Sequence, residues 1–244
     1  MSTIASFHSP YRLRDMGLMG AEVSGESDDV GSELQEFRIR MANSKGTREA
    51  ASLLLKKMYS WRGYSLEPQE THDPNKLILM ADTGGKIVGT MTLCFDSQAG
   101  LPANDNFREE LDVLRSQNRR LCEPSRLAID KDTPKRVFAA LMHISYIQSH
   151  NILGHTDYVI EVNPRHAEFY KRMLGFRELA GERMCKRVNA PAVLLRLECN
   201  YMKDQISQYG GSFENHGRER SFYPYFFSTQ DEPGITHRLT SDSH

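Results

Sequence analysis

Arg120-Leu-Cys-Glu-Pro-Ser-Arg-Leu-Ala-Ile-Asp130 sets a carboxylate and a guanidinium three residues apart around a proline, in a run that otherwise reads as a strand. With period two, Glu123 and Ser125 share a side with Leu121, Leu127 and Ile129, and Arg126 points the other way. A carboxyl group on an apolar face loses hydration, which disfavours its charged form and raises its pKa. A glutamate so placed is a proton acceptor near neutral pH. Pro124 has no N–H to give a neighbour, so the run belongs at a sheet edge or where two strands splay apart, and splayed strands leave backbone groups for a ligand. The plainer reading is a partly exposed edge-strand ion pair between Glu123 and Arg126.

The elements around this run alternate. Glu36–Ala42 interleaves apolar and charged residues as a strand, and Thr47–Tyr59 carries Ala51, Leu54, Leu55 and Met58 at helical spacing, with Thr47 as N-cap. Lys76–Ala81 and Lys86–Phe95 flank Asp82-Thr-Gly-Gly85 as a hairpin, and Asn106–Gln117 is a short helix with Phe107, Leu111 and Leu114 on one face. After the Glu123 strand, Thr133-Pro134 opens a long helix whose stripe is Val137, Phe138, Leu141, Met142 and Ile144. Asp157–Val162 is a strand, Asn163-Pro164 caps a helix ending in Met173-Leu-Gly-Phe176, and Ala190–Glu198 is a last strand. Three parts follow: a flexible arm over 1–33, a domain over 34–199, and an extension over 200–244 whose cluster Phe222-Tyr-Pro-Tyr-Phe-Phe227 packs back as cover.

Thirty-one basic and 32 acidic side chains leave a net charge of -1, which gives no global field for nucleic acid or membrane. Between Asn163 and Arg187 the balance is locally basic, seven Lys or Arg against three Glu. Cys94, Cys122, Cys185 and Cys199 are widely spaced and read as reduced, buried thiols. The nine histidines lack metal spacing, so no metal site is expected. No apolar run approaches the ~18 residues of a membrane helix and no leader is evident, so a cytoplasmic protein without an integral membrane segment is expected.

The order strand, helix, hairpin, strand, helix, strand, helix, strand, with Glu168-Phe-Tyr170 and Met173-Leu-Gly-Phe176 in the last helix, resembles the GNAT acyltransferase fold, an α/β (α+β) architecture with a mixed central sheet and helices on both faces. Coenzyme A users of that fold carry a glycine-rich loop before the long helix, whose amides hold the pyrophosphate. Here that place reads Asp130-Lys-Asp-Thr-Pro-Lys-Arg136, without glycine. Glu123-x-Ser-Arg126 is similar to the motif of acyl-homoserine-lactone synthases. The combination Gly89-Thr-Met-Thr-Leu93, Asp96, Gly100-Leu-Pro102, Phe107, Glu110-Leu111, Leu114-Arg115, Glu123-x-Ser-Arg-Leu-Ala128 and Asn163-Pro-Arg-His166 with Phe169-Tyr170 resembles the long-chain N-acyl amino acid synthases over residues 36–230.

That resemblance implies an acyltransferase joining a long-chain acyl group to the α-amino group of an amino acid. It implies a phosphopantetheine-linked thioester donor on acyl carrier protein, with acyl-CoA in second place, and no tightly bound cofactor. Glu123 becomes the general base, with backbone N–H groups around Leu121–Ser125, Pro124 excluded, at the oxyanion. Arg126 binds a carboxylate or orients the loop before the helix, and Tyr170 either protonates the leaving thiolate or packs beside Phe169. Trp61, Phe95, Ser125 and Leu127 are candidates for lining a substrate pocket, core packing being the alternative for Trp61 and Phe95. Lys135, Arg136, Arg165, Lys171 and Arg172 are candidates for meeting an acidic carrier surface. Competing readings are an acyl-homoserine-lactone-type or acetyl-CoA-dependent N-acyltransferase, and a non-catalytic acyl-carrier-binding module.

Overall fold

A computed structural model describes residues 3–10, 34–60, 73–213 and 219–241. Its strands are β1 (Ala5–Pro10), β2 (Leu34–Met41), β3 (Lys76–Thr83), β4 (Lys86–Phe95), β5 (Leu121–Ile129), β6 (Asp157–Val162), β7 (Arg177–Cys185) and β8 (Ala190–Glu198). Its helices are α1 (Lys45–Ser60), α2 (Asn104–Ser116), α3 (Lys135–Tyr146), α4 (Pro164–Leu174), α5 (Cys199–Tyr209) and α6 (Glu232–Ser241). The strands form one sheet in the order β1-β2-β3-β4-β5-β6-β8-β7, antiparallel throughout except for the β5–β6 pair. This is the GNAT architecture, as expected.

Local chemistry explains most element ends. Ser44 and Thr47 exchange side-chain bonds with each other's backbone N–H (3.3 and 3.1 Å), so α1 is capped by Ser44 and Thr47 lies inside the helix as the reciprocal partner. Gly84 and Gly85 both take positive φ (55° and 83°), the pair of left-handed residues that a two-residue hairpin between β3 and β4 needs. Pro134 is the N-cap of α3 and Thr133 makes no capping bond, one step removed from the expected Thr-Pro start. Asn163 caps α4 by accepting from the Arg165 N–H at 3.2 Å, and Gly175 ends it at φ 84°.

The two sheet faces are covered differently. On one, α2 sets Ala103, Phe107, Leu111 and Leu114 against Leu121, Val159 and Leu194, while α1 sets Leu54 and Leu55 against Ala128. On the other, every residue of α3 from Val137 to Tyr146 is buried. The chain after α5 covers the side of α3 that the sheet does not: Phe222 packs edge-on to Phe138 at 5.0 Å, Phe226 stacks on His143 at 5.2 Å, and the Phe227 N–H donates to His143 Nδ1 at 3.1 Å.

Two departures from the sequence reading belong to the sheet edges. Ala5–Pro10, assigned to a flexible arm, is instead the edge strand beside β2, with Phe7 stacked on Phe37 at 5.7 Å; residues 11–33 of that arm lie outside the described residues. Arg177–Cys185, read as no element at all, is β7 at the opposite edge. Among the described residues no helix is long and apolar enough to cross a membrane, and no group of three or more His, Cys, Asp or Glu side chains is arranged to hold a metal.

Candidate active site

β5 and β6 pair only at Leu121↔Asp157 and Cys122↔Tyr158, after which β5 stays with β4 and β6 with β8. A cleft therefore opens between them, at Glu123. The Asp96 N–H bonds the Leu121 carbonyl at 3.2 Å, so by strand alternation Leu121, Glu123 and Ser125 give their backbone groups to β4, and Cys122 and Pro124 turn theirs towards the cleft. Proline fits here because its missing N–H falls where no strand would have used it.

Below the cleft the strands are clamped. Asp157, fully buried, takes Arg119 on one oxygen at 2.6 Å and Arg196 on the other at 2.7 Å, with the Thr156 hydroxyl donating at 2.6 Å. Burial works to raise this carboxyl's pKa, but the hydrogen bonds from Arg119, Thr156 and Arg196 outweigh it and hold the group below the usual carboxylate range.

Glu123 is 2 % exposed and lies on the face covered by α2, with Leu121 and with Cys94, its register partner across β4. Its Oε2 accepts from the Ala103 N–H at 2.8 Å. Ala103 is the N-cap of α2 and offers no side-chain cap, so a strand carboxylate takes the first donor of the helix. Desolvation raises the Glu123 pKa most; the Ala103 bond and the Arg187 charge oppose it, Glu161 and Asp105 add to it, and the carboxyl is pushed up to about 8. The Ser125 hydroxyl lies on the same face, 3.6 Å from Cys94 Sγ. Thr92 Oγ1, on the residue paired with Ser125, is buried without a partner among the described residues.

Alternation fails beyond Ser125. The register with β4 jumps from Thr92↔Ser125 to Thr90↔Ala128, so Arg126 and Leu127 together oppose Met91 as a bulge, with Arg126 at φ 48°. The expected common face is thereby corrected: Leu127 and Ile129 pack into the α3-side core, opposite Glu123 and Leu121. Arg126 is half-buried, makes no ion pair or hydrogen bond among the described residues, and its charge bears on the Cys94 thiol.

The remaining predicted residues divide. Tyr170 lies on α4, on the α3 side of the sheet, edge-on to Phe169 at 5.3 Å. Burial raises its phenol pKa, the hydroxyl of Tyr59 adding to the effect, so it stays protonated through the neutral range. The Tyr59 hydroxyl donates to the Leu127 carbonyl at 3.5 Å in the bulge. Phe95 is not brought to Glu123: as the register partner of Cys122 it points to the other face, stacked on His155 at 5.3 Å. Trp61 lies outside the described residues. Arg136 is not an open surface cation either, because its guanidinium sits 4.9 Å from the ring centres of both Phe7 and Phe213 and donates to the His8 carbonyl. Lys171 is paired with Glu168 (3.1 Å) and Glu178 (2.9 Å), while Arg165 and Arg172 are exposed on α4. Glu161 and Arg187 were not singled out from the sequence. The signal for Glu161 was available: a carboxylate two residues from Val159, on the inward face of an apolar strand.

The family description "N-acyl amino acid synthase FeeM" matches residues 50–198. The chain belongs to this family of acyltransferases. Among solved structures, FeeM, an N-acyl amino acid synthase from uncultured soil microbes, aligns with a TM-score of 0.63 at 22% identity over 70% of this chain and 95% of that one. The AHL synthase LasI aligns at 0.47 and 13% identity over 68% and 91%, and an acyl-CoA N-acyltransferase from Pseudomonas aeruginosa at 0.46 and 12% over 66% and 97%. A search of curated proteins gives no match. The family membership rests on the span 50–198, which contains the cleft, the bulge and both Glu123 and Tyr170.

Proposed function

We propose that the protein transfers a long-chain acyl group from the phosphopantetheine of an acyl carrier protein to the α-amino group of an amino acid. The observation that carries this reading is the buried Glu123 at the mouth of the β5–β6 cleft, its carboxyl pushed up to about 8, three residues before Arg126, a half-buried guanidinium with no ion pair or hydrogen bond among the described residues. An amino acid presents the matching pair of groups, an ammonium to lose a proton and a carboxylate to be bound.

The steps balance as follows. Glu123 takes a proton from the α-ammonium, the freed lone pair attacks the thioester carbonyl, and the tetrahedral oxyanion forms. Its donor is the Arg126 amide, the first N–H beyond Pro124 that is outside the β4 register; the Glu123 and Ser125 amides, expected candidates, are committed to β4. Collapse breaks the C–S bond, the leaving thiolate receives the Tyr170 proton, and the attacking nitrogen sheds its second proton to solvent, from which Tyr170 is reprotonated. Glu123 and Tyr170 lie on opposite faces of the sheet, so amine and thiol approach the carbonyl from opposite sides of the cleft. A carrier-bound donor is favoured by the loop before α3, where Asp130 and Asp132 stand in place of glycine amides. Arg165 and Arg172, exposed on α4, are the cations offered to an acidic carrier.

The test is incubation with a long-chain acyl carrier protein, or separately with the matching acyl-CoA, and the twenty amino acids, followed by mass spectrometry of lipid extracts. An N-acyl amino acid formed from the carrier and absent with Glu123→Gln is expected. Product from acyl-CoA alone would overturn the donor assignment, and carrier binding without product from either donor would overturn the enzymatic reading in favour of a binding module.

A further inference from the structure

The first turn of α2 holds more than Glu123. Asn106 donates its side-chain amide to Glu161, and Asp105 pairs with Arg187 at 3.3 Å. Arg187, on the turn between β7 and β8, also pairs with Glu161. Glu161 sits on β6 opposite Leu194 and on the same sheet face, its side chain 4 % exposed. Two carboxylates thus face the same side of the sheet, one from each strand that borders the cleft, and one helix turn reaches both of them.

We propose that Glu161 and Arg187 are positioning residues for Glu123: the chain Asp105–Arg187–Glu161–Asn106 bridges α2 to β6 across the α2-side mouth of the cleft, and the opposed charges of Glu161 and Arg187 set the pH range in which Glu123 accepts the proton of the incoming amine. This rests on Glu123 as the base of the proposed reaction. The geometry carries it, because both oxygens of Glu161 are already taken, one by Asn106 and one by Arg187. Glu161 is therefore not a spare base; it is a fixed negative charge beside a fixed positive one. The groups facing Glu123 are Cys94 from β4, Glu161 from β6, Asp105 and the Ala103 N–H from α2, and Arg187 from the β7–β8 turn. Of these only Arg187 is a cation, and it opposes the burial that pushes Glu123 up. Removing it leaves two acidic neighbours unbalanced; removing Glu161 leaves the cation.

The test titrates Glu123 directly. Its carboxyl stretch in infrared difference spectra, assigned by its loss in Glu123→Gln, is followed against pH in the wild type, Arg187→Met, Arg187→Lys and Glu161→Gln. The midpoint is expected to rise in Arg187→Met and fall in Glu161→Gln, each by on the order of half a pH unit or more, with Arg187→Lys restoring the wild-type value. The acidic limb of kcat/KM moves with it. Unchanged midpoints in folded variants, or shifts of the same sign in both, would overturn the proposal and leave the bridge a structural contact. Because the spectra need no substrate, opposed shifts in a protein that acylates nothing would retain the charge bridge and reject the base.

Discussion

Glu123 and Asp157 are both buried carboxylates in one sheet, on the two strands that form its single parallel pair, yet they end in opposite states. Asp157 lies where β5 and β6 still pair, and two guanidiniums and a hydroxyl meet its oxygens. Glu123 lies just past the point where the strands part, and the hydrogen bond it receives is one helix N–H. Burial acts on both in the same direction; the partners decide the outcome. A carboxylate given two fixed cations becomes a permanent anion that ties strands together. One given a single neutral donor and distant charges keeps a proton to trade near neutrality.

The largest expected effect separates the two by function. Glu123→Gln should lower kcat/KM by about 10²–10⁴-fold, as loss of a general base does, with the fold intact. Wild-type activity should rise with pH through an acidic limb near 8, read from a pH–rate profile.

Asp157→Asn should do the reverse, costing about 3 kcal/mol of stability in denaturant titrations by leaving Arg119 and Arg196 only the exposed Glu198 as anion, while the protein that remains folded turns over normally. The wild-type contribution of Asp157 is present above the ordinary carboxylate value and is lost as pH falls through its lowered one.

A finer discrimination uses stability alone. Glu123 ionises at about 8 when folded and at the ordinary 4.5 when unfolded, so ionisation favours the unfolded chain as pH rises between those values. Glu123→Gln should match the wild type below pH 4.5 and grow more stable relative to it towards pH 8 and above, by up to about 5 kcal/mol; a flat difference in Tm across that window would break the comparison.

The smallest effect concerns the far side of the cleft: Tyr170→Phe should lower kcat by about tenfold or more if its proton reaches the thiolate, with KM for the amino acid nearly unchanged, measured by steady-state kinetics.

Much of this comparison was legible in the chain. Period two placed Glu123 on an apolar face, Pro124 announced the splay, and Asn163 with Gly175 bounded α4. What stayed hidden was set by pairing between distant segments. The bulge at Arg126 arises from register with Thr90 and Thr92, and it moved Leu127 and Ile129 to the other face. Phe95 followed the face of Cys122, which only the β4–β5 register fixes. β7 pairs on one side and is largely exposed, so it carries no apolar alternation to read. Ala5–Pro10 is short, and its buried Phe7 gains meaning only beside Phe37 and Phe227. Glu161, Arg187 and the first turn of α2 come together from three separate stretches of chain, which no local spacing reports.

The wrapping of α3 has a consequence for biosynthesis. The helix is buried all round, and Phe222, Phe226 and Phe227, which cover its outer side, follow its end by about 75 residues, a delay of roughly 4–15 s at ordinary translation rates. Over that interval the nascent chain presents an uncovered apolar helix. Just before the first strand, the Ile4 carbonyl is met by Arg238 from α6, a contact that also arrives late. A fragment stopping before Phe222 would leave the outer side of α3, with Phe138 and His143, without its aromatic cover.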